Sequence, residues 1–520
     1  MYTTIGTLFE QTVRKYPRKE ALVDASRKRR WTYKQWEEDA NRLANALTAA
    51  GIEKGDIVST FLYNSSELAM TFIACAKLGA VFNPINFRLK SNELTYILND
   101  AKPKVFIFEK AVEEQITSLP EKYPSTSFWS TDNDSLPFGH FYYDLINNAS
   151  TLPPRVQVNE NDLYAIMYTS GTTGRPKGVM HKHRDMVEQS LICINAMKLT
   201  PNDRGLSAAP MFHCAELHCC FLPRIHIGAS NVILHHFDPQ LILETIQNEK
   251  VTVLFGAPTM WNMILQEDVS SYKIDHLRKG LYGAAPMAPA LVRASREKLG
   301  IDLIQAYGMT EMGPAVAFLY EDEQLTKAGS SGKACLNHEI KIVAPGGNGN
   351  PDEEQVPGQV GEIIVKGTCL MSGYYNRETE TKQAIKGDWY YSGDLGYMDE
   401  EGYLYVADRV DDMIISGGEN IYPREVEDLL YEHEGVLDVA VLGQPDEKWG
   451  EQVVAVVVPK NDSITKTELD YFCKDSPSLA DYKRPRKYIF VNELPRNASG
   501  KIQKFKIRED FSDSKSANIS

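Results

Sequence analysis

Short runs of β-branched and aromatic residues alternate with amphipathic helical stretches through most of this chain, and that alternation limits the folds open to it. Ile57 to Leu62, Val105 to Phe108 and Val251 to Phe255 read as buried strands. Asp238-Pro239 offers an N-cap followed by proline at the first helical position, and Leu241, Ile242 and Ile246 supply an apolar helix face. A second unit of the same kind runs from Pro289 to Leu299, stops at Gly300 and leads into Ile301 to Ile304. Strands separated by helices build parallel sheets covered by helices, so the fold class is α/β.

The pattern changes after Gly329. Gly and Pro become frequent from Pro345 to Gly361, and short strands such as Glu362 to Val365 follow without helices between them. It resets again near Asp411, with a helix at Arg424 to Tyr431, strands at Val436 to Leu442 and Val453 to Val458, and a capping-box sequence Thr465-Lys-Thr-Glu468. The expected organisation is a large N-terminal domain of α/β layers over residues 1–410, carrying a β-rich subdomain at about 330–410. A small α+β C-terminal domain over 411–509 and a disordered polar tail at 510–520 complete it. At 520 residues, 43% of them hydrophobic, there is ample material for such a core.

The run Tyr168-Thr-Ser-Gly-Thr-Thr-Gly-Arg-Pro-Lys-Gly-Val179 packs hydroxyls, glycines and a lysine between the apolar stretch Leu163 to Tyr168 and an expected helix. Glycines let backbone N–H groups turn toward an anion, hydroxyls add donors, and Lys177 supplies a point charge. It is a phosphate-gripping loop. It is not the Walker loop, because the second glycine of that motif would fall on Pro176. His181 and His183, on the expected helix, read as solvated or capping residues.

Other clusters suit a nucleotide and an acid. Tyr307-Gly-Met-Thr-Glu311 follows the Ile301 strand, at the carboxyl end where α/β proteins bind ligands; Thr310 offers a hydroxyl to a phosphate and Glu311 a hard oxygen for Mg²⁺. Tyr391-Ser-Gly-Asp394 places a carboxylate after a tight turn, able to accept from both ribose hydroxyls. In Asp408-Arg-Val-Asp411, Arg409 can reach a ribose or phosphate and Asp411 stands at the domain boundary. Ser416-Gly417-Gly418 marks a close backbone approach, and Pro495-Arg-Asn-Ala-Ser-Gly-Lys501 presents a loop lysine where transition-state charge builds up. His213-Cys214-Ala-Glu-Leu-His218-Cys219-Cys220 lacks a second ligand pair at finger spacing, so it reads as a pocket wall of small sulfur side chains rather than a zinc site.

A formal charge of -14 argues against a dedicated nucleic-acid or anionic-membrane binder. Eight cysteines without a CxxC pair suit a reduced, intracellular chain. No apolar run reaches the roughly 18 residues of a membrane span, and the amino terminus reads as an amphipathic helix without a signal-peptide core. The expected setting is the cytoplasm, with no integral membrane partner.

In this order, from Trp31-Thr32-Tyr33 through Lys501, the motifs resemble the AMP-forming acyl-CoA synthetases of the adenylate-forming superfamily, nearest to bacterial fatty-acid and aryl-acid CoA ligases. The resemblance implies that a carboxylic acid attacks the α-phosphate of Mg·ATP to give acyl-AMP, and that CoA then displaces AMP. It assigns Thr169, Ser170, Gly171, Thr172, Thr173, Gly174 and Lys177 to the triphosphate. Gly283, Ala284 and Ala285, with Tyr307 and Gly308, line adenine, while Thr310 meets the α-phosphate and Glu311 the Mg²⁺. Asp394 and Arg409 hold the ribose, and Lys501 bridges carboxylate and α-phosphate during adenylation. Asp411 becomes the hinge of a mobile C-terminal domain, and Ser416, Gly417, Gly418, Trp449, Tyr482, Arg484 and Arg486 become the CoA side. His213 lies at the mouth of the acid pocket, beside an apolar wall of Cys214, Ala215, Leu217 and Val316.

The implied substrate is a medium- or long-chain fatty acid, with benzoate-like acids second. An acyl-AMP ligase loading a carrier protein is a further alternative, disfavoured because no surplus segment stands between Thr310 and Asp394. A luciferase-type oxygenase has nothing beyond the shared scaffold in its favour. A nucleotide sensor without chemistry is disfavoured by the presence of Lys177, Glu311, Asp394, Arg409 and Lys501 together. Many proteins of this pattern are homodimers, and that state is left open.

Overall fold

The computed structural model describes residues 3–132, 138–169, 176–285, 287–346, 349–409, 412–416, 419–446, 448–461, 464–476, 479–496 and 502–509, without the side chains of 408, 409, 419 and 420. The chain divides into two compact units: Met1–Glu339 with Lys366–Tyr390, and Ile340–Val365 with Tyr391–Ser520.

The first unit holds two large sheets. One has nine strands in the order Lys333–Ala334, Ala315–Leu319, Asp302–Gly308, Lys279–Gly283, Val253–Gly256, Arg204–Ser207, Ser230–Ile233, Glu20–Asp24 and Arg29–Thr32. Its centre is parallel, because each strand returns through a helix such as Pro239–Glu249 or Pro289–Leu299. The expected punctuation is in place: Asp238 accepts from Leu241 N at 2.7 Å with Pro239 opening the helix, and Gly300 closes the next helix at φ 68°.

The other sheet has eight strands, ordered Gly373–Tyr374, Lys177–Lys182, Leu163–Thr169, Val81–Pro84, Ile57–Phe61, Val105–Phe108, Ser127–Ser130 and His140–Phe141. The helix Ser66–Leu78 packs against Glu20–Asp24 of the first sheet and Ile57–Phe61 and Val81–Pro84 of the second, and every one of its residues is buried. A sequence apolar nearly all round, SELAMTFIACAKL, suits that central place. Its Lys77 is neutralised by Glu10 at 2.7 Å.

In the second unit the strands Trp389–Met398 and Leu404–Arg409 pair antiparallel. A further sheet runs Glu419–Ile421, Ile414–Ser416, Gly450–Pro459 and Val436–Asp446, with Lys487–Phe490 beside Gly450–Pro459. The helices Pro423–Tyr431 and Lys466–Asp475 bury Val426, Leu429, Leu430, Leu469 and Cys473 in one core with Val439, Val441, Val453 and Val457. Thr465 caps the latter helix by accepting from Glu468 N at 3.2 Å. Among the described residues no helix is long and apolar enough to cross a membrane.

Two local expectations are corrected. The residues after the glycine-rich loop form a strand, not a helix: Lys177–Lys182 pairs antiparallel with Leu163–Thr169, and the helix His183–Met197 begins only after it. Asp394 lies inside the strand Trp389–Met398 opposite Arg409 rather than after a turn, although Gly393 bends that strand at φ 68°.

Candidate active site

The pair Thr169–Lys177 closes the hairpin around the glycine-rich loop, and Thr169 Oγ1 reaches the Lys177 carbonyl at 3.5 Å. Ser170, Gly171, Thr172, Thr173 and Gly174 lie outside the described residues. The lysine Nζ sits 4.7 Å from the ring centroid of Tyr374, whose own strand is the neighbour of Lys177–Lys182. Gly178 leaves room for its neighbours, since a Cβ would meet Ile166 Cγ2 at 2.8 Å and the Tyr168 ring at 3.1 Å and force them to shift.

On the nine-stranded sheet, parallel register sets Gly283 beside Ala306, so Ala284 and Ala285 emerge next to Tyr307 and Gly308 at the carboxyl ends of adjacent strands. Ala284 stands at φ 66°, a conformation that costs a residue with a Cβ about 1 kcal/mol and is concentrated at ligand sites. Gly308 allows the chain to fold back: a Cβ would lie 1.9 Å from the Pro314 carbonyl oxygen.

Thr310 and Glu311 follow on that turn. Thr310 Oγ1 contacts Cys214 Sγ at 3.2 Å, and its carbonyl accepts from His181 Nε2 at 2.6 Å. The Glu311 carbonyl accepts from Met371 N at 2.8 Å, and its Oε1 from the Tyr374 hydroxyl at 2.8 Å. Both sheets and the Cys214 segment therefore converge on Thr310-Glu311. Glu311 is half-buried and, among the described residues, forms no ion pair; its carboxylate is a donor fit for a hard divalent cation.

The sulfur and imidazole groups here are uncharged at neutral pH. Burial lowers His181 and His213 to about 4, and pushes the Cys214 thiol up to about 12 despite its contact with Thr310. His213 Nδ1 accepts from Ala215 N at 3.2 Å, so its proton sits on Nε2. His218 is wholly buried, its ring 6.1 Å from that of His181, and burial holds it well below the ordinary range. His181 and His183, expected to be solvated or capping, are both fully buried. His183 Nδ1 does accept a helix N-terminal amide at 3.4 Å, but that of Ile5.

The cysteine-rich segment is a one-turn π-helix, Leu217–Phe221, a local under-winding of the helix found often near functional sites. Cys219 and Cys220 join Cys193, Cys335 and Cys369 in one core cluster, while Cys214 alone turns to Thr310. Among the described residues no three His, Cys, Asp or Glu side chains are grouped to hold a metal ion. Beneath the segment Glu216 Oε1 accepts from Arg224 at 2.7 Å and from Ser207 at 2.7 Å, all three buried.

In the second unit Asp394 N donates to Ser392 Oγ at 3.0 Å, and Ser392 Oγ donates to the Ile363 carbonyl at 2.6 Å. Ser416 pairs with Gly450, next to Trp449. Trp449 is 50% exposed with Lys448 Nζ 4.6 Å over its ring, and Tyr482 is 46% exposed. Arg484 is held by Asp470 and, at 3.1 Å, by Asp481; Arg486 donates to the Asp481 carbonyl at 2.8 Å. Asp411, Gly417, Gly418, Lys501 and the Arg409 side chain lie outside the described residues.

Sequence reasoning passed over Tyr374 and the Glu216–Arg224 pair, and misread His181 as solvated or capping. Tyr374 belongs to a two-residue strand that no periodicity reveals, although the Gly373-Tyr374 step after a serine is a turn-to-strand signal.

With this geometry in view, the chain matches the family described as AMP-binding enzyme over residues 9–375. It belongs to the AMP-binding enzymes. The C-terminal domain described for that family matches residues 425–501. A long-chain-fatty-acid–CoA ligase of Mycobacterium tuberculosis is 36% identical over 98% of both chains. A feruloyl-CoA synthase of an Amycolatopsis species is 37% identical over 92% of this chain and 94% of its own. The crystal structure of an anthranilate CoA ligase in complex with anthranoyl-AMP superposes with a TM-score of 0.89 at 28% identity, covering 98% of this chain and 97% of the other. Within the AMP-binding enzymes the chain is an AMP-forming acid–CoA ligase.

Proposed function

We propose that this ligase activates a medium- or long-chain fatty acid. The observation carrying that choice is the uncharged Cys214 thiol set against Thr310 in a segment of buried apolar residues. Cys214 touches the threonine hydroxyl, Leu217, Met312 and Val316 are buried, and His213 is neutral. Arg224, the arginine of the same segment, is committed to Glu216 and Ser207 rather than to a second carboxylate of a substrate. The long-chain relative, matched end to end, supports the same reading. Benzoate-like acids stand second, favoured by the feruloyl and indoleacetate relatives at 37% and 35% identity.

In this reading Thr169 to Gly174 and Lys177 grip the triphosphate, Gly283 to Ala285, Tyr307 and Gly308 line adenine, and Asp394 and Arg409 take the ribose. Magnesium travels with ATP and screens its phosphate charge, and Glu311 is the residue that would hold it. A carboxylate oxygen of the acid attacks the α-phosphorus, pyrophosphate leaves, and Thr310 with Lys501 stabilises the added negative charge. In the second step the CoA sulfur attacks the acyl carbonyl and AMP leaves, with Ser416 to Gly418, Trp449, Tyr482, Arg484 and Arg486 on the CoA side. One site cannot hold both the counter-charge of pyrophosphate and an incoming thiol, which is the physical motive for the C-terminal domain to turn about Asp411 between steps.

The test is kcat/KM across saturated acids of increasing length, with ferulate and benzoate alongside. We expect a rise of about threefold or more per two added methylenes until the acid pocket is filled, each buried CH₂ being worth about 0.8 kcal/mol at most. An optimum on ferulate or benzoate would overturn the fatty-acid choice and leave the ligase class standing.

A further inference from the structure

Tyr374 touches, from a third strand, both charged groups assigned to the triphosphate and its metal. Its hydroxyl donates to Glu311 Oε1 at 2.8 Å, and its ring face lies 4.7 Å under Lys177 Nζ. The placement follows from register. Tyr374 is paired with Val179, so Lys177, two residues along, lies diagonally across on the same face, within reach of a long side chain. Three further bonds fix the segment. Tyr374 N donates to Thr381 Oγ1 at 2.9 Å, Ser372 N to the Met180 carbonyl at 2.9 Å, and Met371 N to the Glu311 carbonyl at 2.8 Å. Tyr374 is 5% exposed.

A lysine and a glutamate lining one site before ATP arrives attract each other, at several kcal/mol for a 4 Å approach near a protein surface. Direct pairing would occupy both groups and oppose entry of the triphosphate and its cation. A phenol suits the task of separating them, since its negative ring face attracts the ammonium while its hydroxyl satisfies the carboxylate. We propose that Tyr374 is a positioning residue that keeps Lys177 and Glu311 apart and aimed at the triphosphate and its cation. This rests on the reading that those two groups receive the triphosphate and Mg²⁺.

The test is calorimetric binding of Mg·ATP and of AMP, without acid or CoA, to wild type, Tyr374→Phe, Tyr374→Leu, Glu311→Gln and Tyr374→Phe with Glu311→Gln. Tyr374→Phe keeps the ring and removes the bond to Glu311. It should weaken Mg·ATP about tenfold, the worth of one hydrogen bond to a charged group, while AMP, which carries neither the outer phosphates nor the metal, binds as before. Tyr374→Leu, which also exposes Lys177 to Glu311, should weaken Mg·ATP further. In the Glu311→Gln background Tyr374→Phe should add at most about twofold, because the neutral amide no longer carries the charge that the hydroxyl aims at the cation. Unchanged Mg·ATP affinity in Tyr374→Phe, with loss in Glu311→Gln, would overturn the role of Tyr374 and leave Glu311 as the metal residue. Equal weakening of AMP and Mg·ATP would reduce Tyr374 to a structural residue. Unchanged affinity in Glu311→Gln would overturn both.

Discussion

Glu216 is wholly buried, and burial raises its pKa against the opposing pull of Arg224 and Ser207. Such a carboxylate is tolerated only when paired and hydrogen-bonded, and the Arg224 guanidinium lies where a Cβ on Gly205 would come within 2.2 Å of it. The pair anchors the segment that carries His213 and Cys214. Arg224→Met should therefore cost about 3–5 kcal/mol in urea unfolding, because it strands a buried carboxylate. Adding Glu216→Leu should recover much of that loss, and a purely additive double variant would show that the two side chains do not act as a unit. Sequence reasoning reaches Thr310, Glu311 and Lys177 as candidates because each stands in a local motif. It does not reach Tyr374 or Arg224, whose partners lie far away in sequence.

At the scale of elements, the alternation of apolar runs and capped helices gave the α/β layering, because caps and periodicity are local signals. The stretch after the glycine-rich loop misled, since Lys177 to Lys182 is too short to show a period and the helix signal of His183 to Met197 follows without a break. Pairing with Leu163–Thr169 decided the matter, a non-local interaction that outweighs propensity. One consequence of that register is a histidine set between elements. His183 opens its helix, is buried, and accepts the Ile5 amide at the start of the helix Ile5–Lys15. Burial lowers its pKa from 6.5 to about 4. Between those values the unfolded chain binds a proton that the folded chain refuses, so stability is complete above about pH 6.5 and falls as the pH drops toward 4, by about 3 kcal/mol for a shift of this size. His183→Gln should lower stability at pH 7.5 but flatten its decline between pH 6.5 and 4.5, measured by urea unfolding at each pH. An unchanged slope would contradict the buried, neutral histidine.

For the whole molecule, composition marked the change after Gly329 but could not show that residues 366–390 return to the first unit. They do so because Gly373–Tyr374 completes the edge of the eight-stranded sheet. Lys177 and Glu311 belong to the first unit, and Asp394 and Trp449 to the second. The measurement that bears on the proposed function most directly is mass spectrometry of quenched reactions with Mg·ATP and dodecanoate, with and without CoA, for wild type and Lys501→Ala. We predict dodecanoyl-AMP without CoA and dodecanoyl-CoA plus AMP with it. Lys501→Ala should lose adenylate formation by about a hundredfold or more, the scale of removing one transition-state charge, yet still convert supplied dodecanoyl-AMP and CoA to thioester. Equal loss of both steps in Lys501→Ala, or ADP as the nucleotide product of the wild type, would contradict it.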